Sequence, residues 1–135
     1  MKIASGDTGP EFRFGPLTRT DIVRYAGAAQ DFNRIHHDEP FAIQSGFPST
    51  FAHGMQSAGV LAAFVTRWFG PNSVRRYRVR FREVVYPGDL LTAEGKVLRV
   101  FEEDGEARAE IEIALLRQTG QPAVAGTAEV ALPTE

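Results

Sequence analysis

From His53 to Phe69 the chain reads HGMQSAGVLAAFVTRWF, apolar throughout except for Gln56, Ser57, Thr66 and Arg67. A helix that is apolar nearly all round has to be enclosed by the rest of its protein. At ~1.5 Å per residue the run is roughly 25 Å long, short for a bilayer crossing, and Gly59 and the polar residues weaken that option further. Gly70-Pro71 supplies a stop signal. The segment is therefore expected as a central core helix, and the other elements must be able to wrap it.

The sequence that follows can do so. After Pro71 the hydrophobic period changes to two: in SVRRYRVRFREVV, Tyr77, Val79 and Phe81 alternate with Arg76, Arg78, Arg80 and Arg82. YPGD is a turn, and Leu91, Ala93 and Val97 continue the alternation. Glu103-Asp104-Gly105 marks a hairpin. Ala107, Ala109, Ile111, Ile113 and Leu115 then alternate cleanly, QTGQP turns the chain again, and Val124, Ala128, Val130 and Leu132 end the series. Consecutive strands with short turns imply an antiparallel meander. Helices first and strands after give an α+β class, with the sheet wrapped around the long helix.

Upstream, Phe12 to Leu17 fits a short strand. LTRTDIVRYAGAAQ reads as a helix with Thr18 as N-cap, Asp21 favoured in the first turn, and Leu17 stapled to Ile22 across the cap. Ile22, Tyr25, Ala26 and Ala29 share one stripe. DEPFAIQSG suggests a second short helix, with Asp38 as cap, Pro40 in the first turn and Gly46 closing it.

A length of 135 residues suits one domain over 1–135 with a core of its own. A net charge of −2 gives no overall bias toward nucleic acid or an anionic membrane, and the arginine-bearing strand has no interleaved aromatics on its basic face. Without cysteine there is no disulfide framework, thiolate nucleophile or Cys-ligated zinc. The first residues, MKIASGDTGPEF, lack the apolar core of a signal peptide, so a soluble, cytoplasmic protein is expected.

Between the two helical patterns lies DFNRIHHDEP, residues 31–40. A histidine of ordinary pKa exchanges a proton near neutral pH, an aspartate beside it can orient the ring or share the proton, and an asparagine can align an oxygen. Asp31, Asn33 and His36 thus form a kit for adding or removing water across a carbon–carbon bond. Turn-forming Asp and Asn beside an incidental His would look the same. A second motif, FAHGM, places His53-Gly54 where the core helix begins. Backbone N–H groups at a helix N-terminus have no partner in the helix and can hold a developing oxyanion, and a glycine lets a ligand come close. His36, His37, Asp38 and His53 do not read as a metal site: adjacent histidines rarely share an ion, and no helical H-x-x-x-H spacing is present. Arg75, Arg76, Arg78, Arg80 and Arg82 read as a solvated strand face, or one that meets substrate phosphates or an acidic carrier.

Taken together and in this order, YAGAAQDFNRIHHDEPFA and FAHGM resemble the MaoC-like, (R)-specific enoyl-thioester hydratases and 3-hydroxyacyl-thioester dehydratases of the hot-dog fold. The likeness extends from about Leu17 to Asp89 and is greatest to single-domain bacterial members, including dehydratase subunits of mycobacterial fatty-acid elongation. Asp31, Asn33, Ile35, His36, His53, Gly54 and Met55 match the family pattern. Arg34 stands where the family usually has Pro, and Gly59 where some members carry a Ser that supports the catalytic Asp.

The resemblance implies catalysis by Asp31, His36 and Asn33, with the Gly54 amide as oxyanion donor. His53, Met55 and Arg34 are expected to bind substrate. Metal and redox cofactors are not expected, coenzyme A or an acyl-carrier group arriving as part of an acyl thioester. It further implies a homodimer or higher homo-oligomer, with an acyl carrier protein as a potential partner. Two rivals stay open: a non-catalytic hot-dog subunit that supports an active partner, and an acyl-thioester hydrolase.

Overall fold

The computed structural model describes residues 2–134. In chain order, β1 (Phe12–Phe14) leads into α1 (Arg19–Ala29), one 3-10 turn at Arg34–His36, α2 (Glu39–Gln44) and α3 (Gly54–Phe69). Then come β2 (Val74–Phe81), β3 (Leu91–Glu103), β4 (Glu106–Leu116) and β5 (Pro122–Ala131).

The local signals act as expected where the early helices begin. Thr18 Oγ1 accepts from the Asp21 amide at 3.0 Å. The Asp21 carboxylate accepts from the Thr18 amide at 2.8 Å, which completes a reciprocal capping box. Leu17 and Ile22, on either side of that cap, are both buried in the core. Gln30 ends α1 in a left-handed conformation (φ 57°), which turns the chain and hands over Asp31. Asp38 caps α2 through the Phe41 amide.

The five strands are antiparallel in the order β1-β3-β4-β5-β2. This corrects the expected meander. Only β3, β4 and β5 follow one another; β2 lies at the far edge against β5, and the stretch containing YPGD is a long connection, residues 82–90, that crosses the sheet end. Between β3 and β4 the turn is tight, since Asp104 and Gly105 both take positive φ, as a type I′ two-residue hairpin requires.

One face of the sheet closes over α3. Leu61, Phe64 and Val65 are fully buried, as are Val97, Ile111, Ile113, Leu115, Val124 and Val130 from the strands. Approach is close enough that a Cβ on Gly95 would sit 2.8 Å from the Trp68 ring. Glycine in a strand interior is the residue that allows such contact. The Tyr77 hydroxyl donates to the Ala58 carbonyl at 2.6 Å, fastening β2 to the helix, and burial pushes its pKa up to about 12.

The helix departs from its sequence reading in one respect. Met55, Gly59 and Ala63, one turn apart, are exposed, so the chain encloses α3 on one side and leaves a stripe uncovered. Among the described residues no helix is long and apolar enough to cross a membrane.

Candidate active site

The polar stretch after α1 is folded tightly by its own side chains. Asp31 Oδ1 accepts from the Asn33 amide at 3.2 Å. Asn33 Oδ1 accepts in turn from the Ile35 amide at 3.2 Å, which starts the 3-10 turn carrying His36. Turning here swings His36 inward, and its ring is buried. Its Nδ1 lies 2.8 Å from the Phe51 carbonyl. A carbonyl can only accept, so the neutral ring carries its hydrogen on Nδ1 and leaves a lone pair on Nε2. Burial holds its pKa below the ordinary 6.5; the bond to Phe51 opposes that, and the neighbouring His53 adds to it.

His53 is the N-cap residue of α3 and makes no side-chain capping bond. Its Nε2 meets the main-chain carbonyl of Asp31 at 3.0 Å and stands 3.9 Å from Asp31 Oδ2. The ring is stacked on His36, with centroids 3.7 Å apart, and flanked by Tyr25 at 4.9 Å. At 2% exposure its ring faces the interior and holds the Asp31 loop. Nothing in the sequence marked this, because FAHGM looks the same whether its histidine faces a ligand or the interior. Its Nδ1 is buried without a hydrogen-bond partner among the described residues.

Gly54 opens α3 with no side-chain cap, so its amide is available at the helix N-terminus. A Cβ here would come 3.2 Å from the Phe81 ring, so glycine also keeps the approach open. Beside it lies a cavity of about 170 Å³, walled by Phe51, Phe81, Val84, Val85 and Val124 and floored by Ser57. Met55, the next residue along α3, is 63% exposed.

Arg34 is engaged elsewhere. Its guanidinium bonds Asp38 Oδ2 at 2.9 and 3.1 Å and covers the Phe41 ring at 4.3 Å. The acidic side chain of Asp38, four residues on, pairs with the cation, which stays 62% exposed. Asn33 also gives its side-chain oxygen to turn formation, leaving only its Nδ2 hydrogens for a ligand.

One side-chain ligand atom each from Asp31, His36 and His53 fall within 4.8 Å of one another. Stacked imidazoles direct their in-plane lone pairs side by side rather than toward a common point, and one nitrogen of each ring already serves a carbonyl. The arrangement fits proton transfer better than metal ligation. On the outer face, Arg78, Arg80 and Arg82 line an open groove of about 1310 Å³.

Several curated proteins and solved structures are similar to this chain. The (R)-specific enoyl-CoA hydratase of Aeromonas caviae is 30% identical over 123 residues, covering 90% of this chain and 88% of that protein. Among solved structures, the (R)-hydratase PhaJ1 of Pseudomonas aeruginosa superposes with a TM-score of 0.86 at 27% identity, covering 98% of this chain and 84% of that one. The ChsH1–ChsH2 complex of Mycobacterium tuberculosis gives 0.82 at 26%, covering 98% and 100%. These likenesses establish the hot-dog fold. Other curated relatives are longer: the chain spans 11% of the peroxisomal multifunctional enzyme type 2 of Mus musculus and 60% of the 3-hydroxybutyryl-CoA dehydratase of Methylorubrum extorquens. The model of the MaoC-like domain matches residues 5–116, and the chain belongs to that family of dehydratase domains.

Proposed function

We propose that the protein is a hydro-lyase that adds water to trans-2-enoyl thioesters and removes it from (3R)-3-hydroxyacyl thioesters. One observation carries the reading: a carboxylate and an imidazole with a free Nε2 converge beside an uncapped helix N-terminus that begins with glycine.

In the hydration direction the thioester carbonyl accepts from the Gly54 amide. Water, deprotonated by one member of the Asp31–His36 pair, attacks C3, and the electron pair of the C2–C3 double bond moves toward the carbonyl. The resulting enolate charge is stabilised at Gly54, and a proton delivered to C2 completes the addition. One preorganised donor of this kind typically contributes about 3–4 kcal/mol. The direction of reaction sets which of the two is acid and which is base. Asn33 Nδ2 steers the water. Carboxylate, imidazole and amide suffice for these transfers, so the reading calls for no metal or redox cofactor.

The relatives named for coenzyme A substrates favour a coenzyme A thioester, and the outer arginine groove and an acyl carrier offer a second way to present the acyl chain. We further read the functional unit as a homodimer. Phe32, Met55 and Phe81 are more than half exposed around the site, and β2 is a sheet edge with unpaired backbone.

An assay of the purified protein with crotonyl and longer enoyl thioesters tests the proposal. Loss of the conjugated-thioester absorbance without release of free thiol is the expected result. Asp31→Asn and His36→Ala should each lower kcat about 10²–10⁴-fold, the usual span for a positioned acid or base. Thiol release would make the protein a hydrolase, and undiminished turnover in either folded variant would overturn the assignment.

A further inference from the structure

Asp89, in the β2–β3 connection, is a charged residue only 4% exposed and lies outside the acid–base pair and the oxyanion donor. Its carboxylate accepts from Arg117 Nε at 2.8 Å, Gln118 Nε2 at 2.8 Å and the Tyr86 amide at 2.9 Å, with a further contact to an Arg117 terminal nitrogen at 3.3 Å. Arg117 also reaches Glu83 at 3.1 Å, and its guanidinium lies over the Tyr86 ring. A turn between β4 and β5 thus clamps the 82–90 connection through one buried carboxylate.

That connection touches both halves of the site. The Asp89 carbonyl accepts from the Leu17 amide at 2.9 Å and the Gly88 amide donates to the Leu17 carbonyl at 2.7 Å, which fixes the start of α1. Asp31 leaves the other end of α1. Earlier in the same connection, the Val85 carbonyl accepts from the Ala52 amide at 2.8 Å. Ala52 stands between Phe51, whose carbonyl holds His36, and His53-Gly54, which opens α3. No other connection binds α1 and the segment Phe51–Gly54 together through its backbone in this way among the described residues.

We propose that Asp89, held by Arg117 and Gln118, is a positioning residue that sets the acid–base loop and the oxyanion amide in register with each other. The proposal rests on the reaction assigned above. Removing the charge would leave Arg117 with Glu83 as its one remaining carboxylate and loosen the connection, letting Phe51 and Ala52 shift relative to α1. A misplacement of about 1 Å between reacting groups can cost roughly a hundredfold in rate.

The test compares Asp89→Asn, Arg117→Lys and Gln118→Ala with Glu106→Gln, a change in the ion pairs of the distant β3–β4 hairpin. Each variant is scored for Tm, kcat and KM on crotonyl-coenzyme A, and for the nitrogen resonances of the His36 ring. Asp89→Asn should lower kcat ten- to about a hundredfold per folded molecule with a smaller change in KM. Its His36 Nδ1–H signal, set by the Phe51 carbonyl, should shift or broaden. Arg117→Lys, which keeps the cation, should recover part of the rate, and Glu106→Gln should leave kcat unchanged. If kcat stays within about twofold of wild type while Tm falls, the clamp is structural only and the proposal is overturned. If Asp89→Asn does not fold, Arg117→Lys and Gln118→Ala decide the matter by the same criteria. Should wild type be inactive on every enoyl thioester, the assigned reaction fails, and an unmoved His36 resonance in the variants would separately sink the positioning role.

Discussion

At the scale of residues, the proposed mechanism divides its labour between atoms that react and atoms that hold. His36 gives Nδ1 to the Phe51 carbonyl and keeps Nε2 free; His53 spends its Nε2 on the Asp31 carbonyl. Burial lowers the His36 pKa, so the native state takes up this proton less readily than the unfolded chain at its ordinary 6.5. The unfolded state therefore binds more protons below pH 6.5, and the contribution to stability is full above that value and is lost as the pH falls toward the native pKa. Asp89 acts lower on the scale. Burial raises its carboxyl, but Arg117, Gln118 and the Tyr86 amide outweigh this and hold it below the ordinary 3.8. Its contribution is present above 3.8 and is lost as the pH falls through the lowered native value. Thermal melts should thus show two separate acid-sensitive windows, and His36→Asn should remove the upper one alone. An unchanged upper window in that variant would place its origin elsewhere. The grouping of Asp31, Asn33 and His36 was legible in the sequence because all three lie on one short stretch, while the role proposed for them came from the resemblance. The bond that orients His36 was not, because its acceptor is a backbone carbonyl of no particular residue type, and neither was the clamp, since PGD and LRQTG each look like ordinary turns.

At the scale of elements, caps, hairpins and the long helix came through because each is specified within a few neighbouring residues. Thr18 and Asp21 cap each other, and Asp104-Gly105 suits only a left-handed turn. Strand order is different. β2 and β3 follow in sequence yet lie at separate positions in the sheet, and the residues of the 82–90 connection have no period that tells a crossing from a hairpin. What decides the order is packing on α3, a property of the whole sheet. The helix should accordingly dominate stability. Leu61 is fully buried. Leu61→Ala is expected to cost about 2–5 kcal/mol, as for other buried leucines, since the strands on its far side cannot collapse into the void. Denaturant melts that place this variant within about 1 kcal/mol of wild type would show that α3 is less central than its burial indicates.

At the scale of the whole molecule, the one misjudged face of α3 becomes informative. Hydrophobic periodicity reports that a surface avoids water, but carries no record of which chain covers it. Met55, Gly59 and Ala63 are too apolar or too small for an ordinary solvent face, and Gly54, beside Met55, lies against Phe81 on the edge strand β2. A second copy meeting this region would account for a helix that reads as buried all round in sequence and is half uncovered in one chain. A stable interface of this kind needs about 800 Å² from each partner, more than the helix stripe alone provides, so the β2 edge has to take part. Ala63→Arg adds a long cation at the middle of that stripe and, in an isolated chain, points into solvent at little cost. The wild-type protein is therefore expected to sediment as a dimer and the variant as a folded monomer. Because Met55 and Phe81 stand beside Gly54, the monomer should also bind substrate more weakly, with KM rising more than kcat falls. A wild-type chain that sediments as a monomer while fully active would show that the exposed stripe serves no second copy.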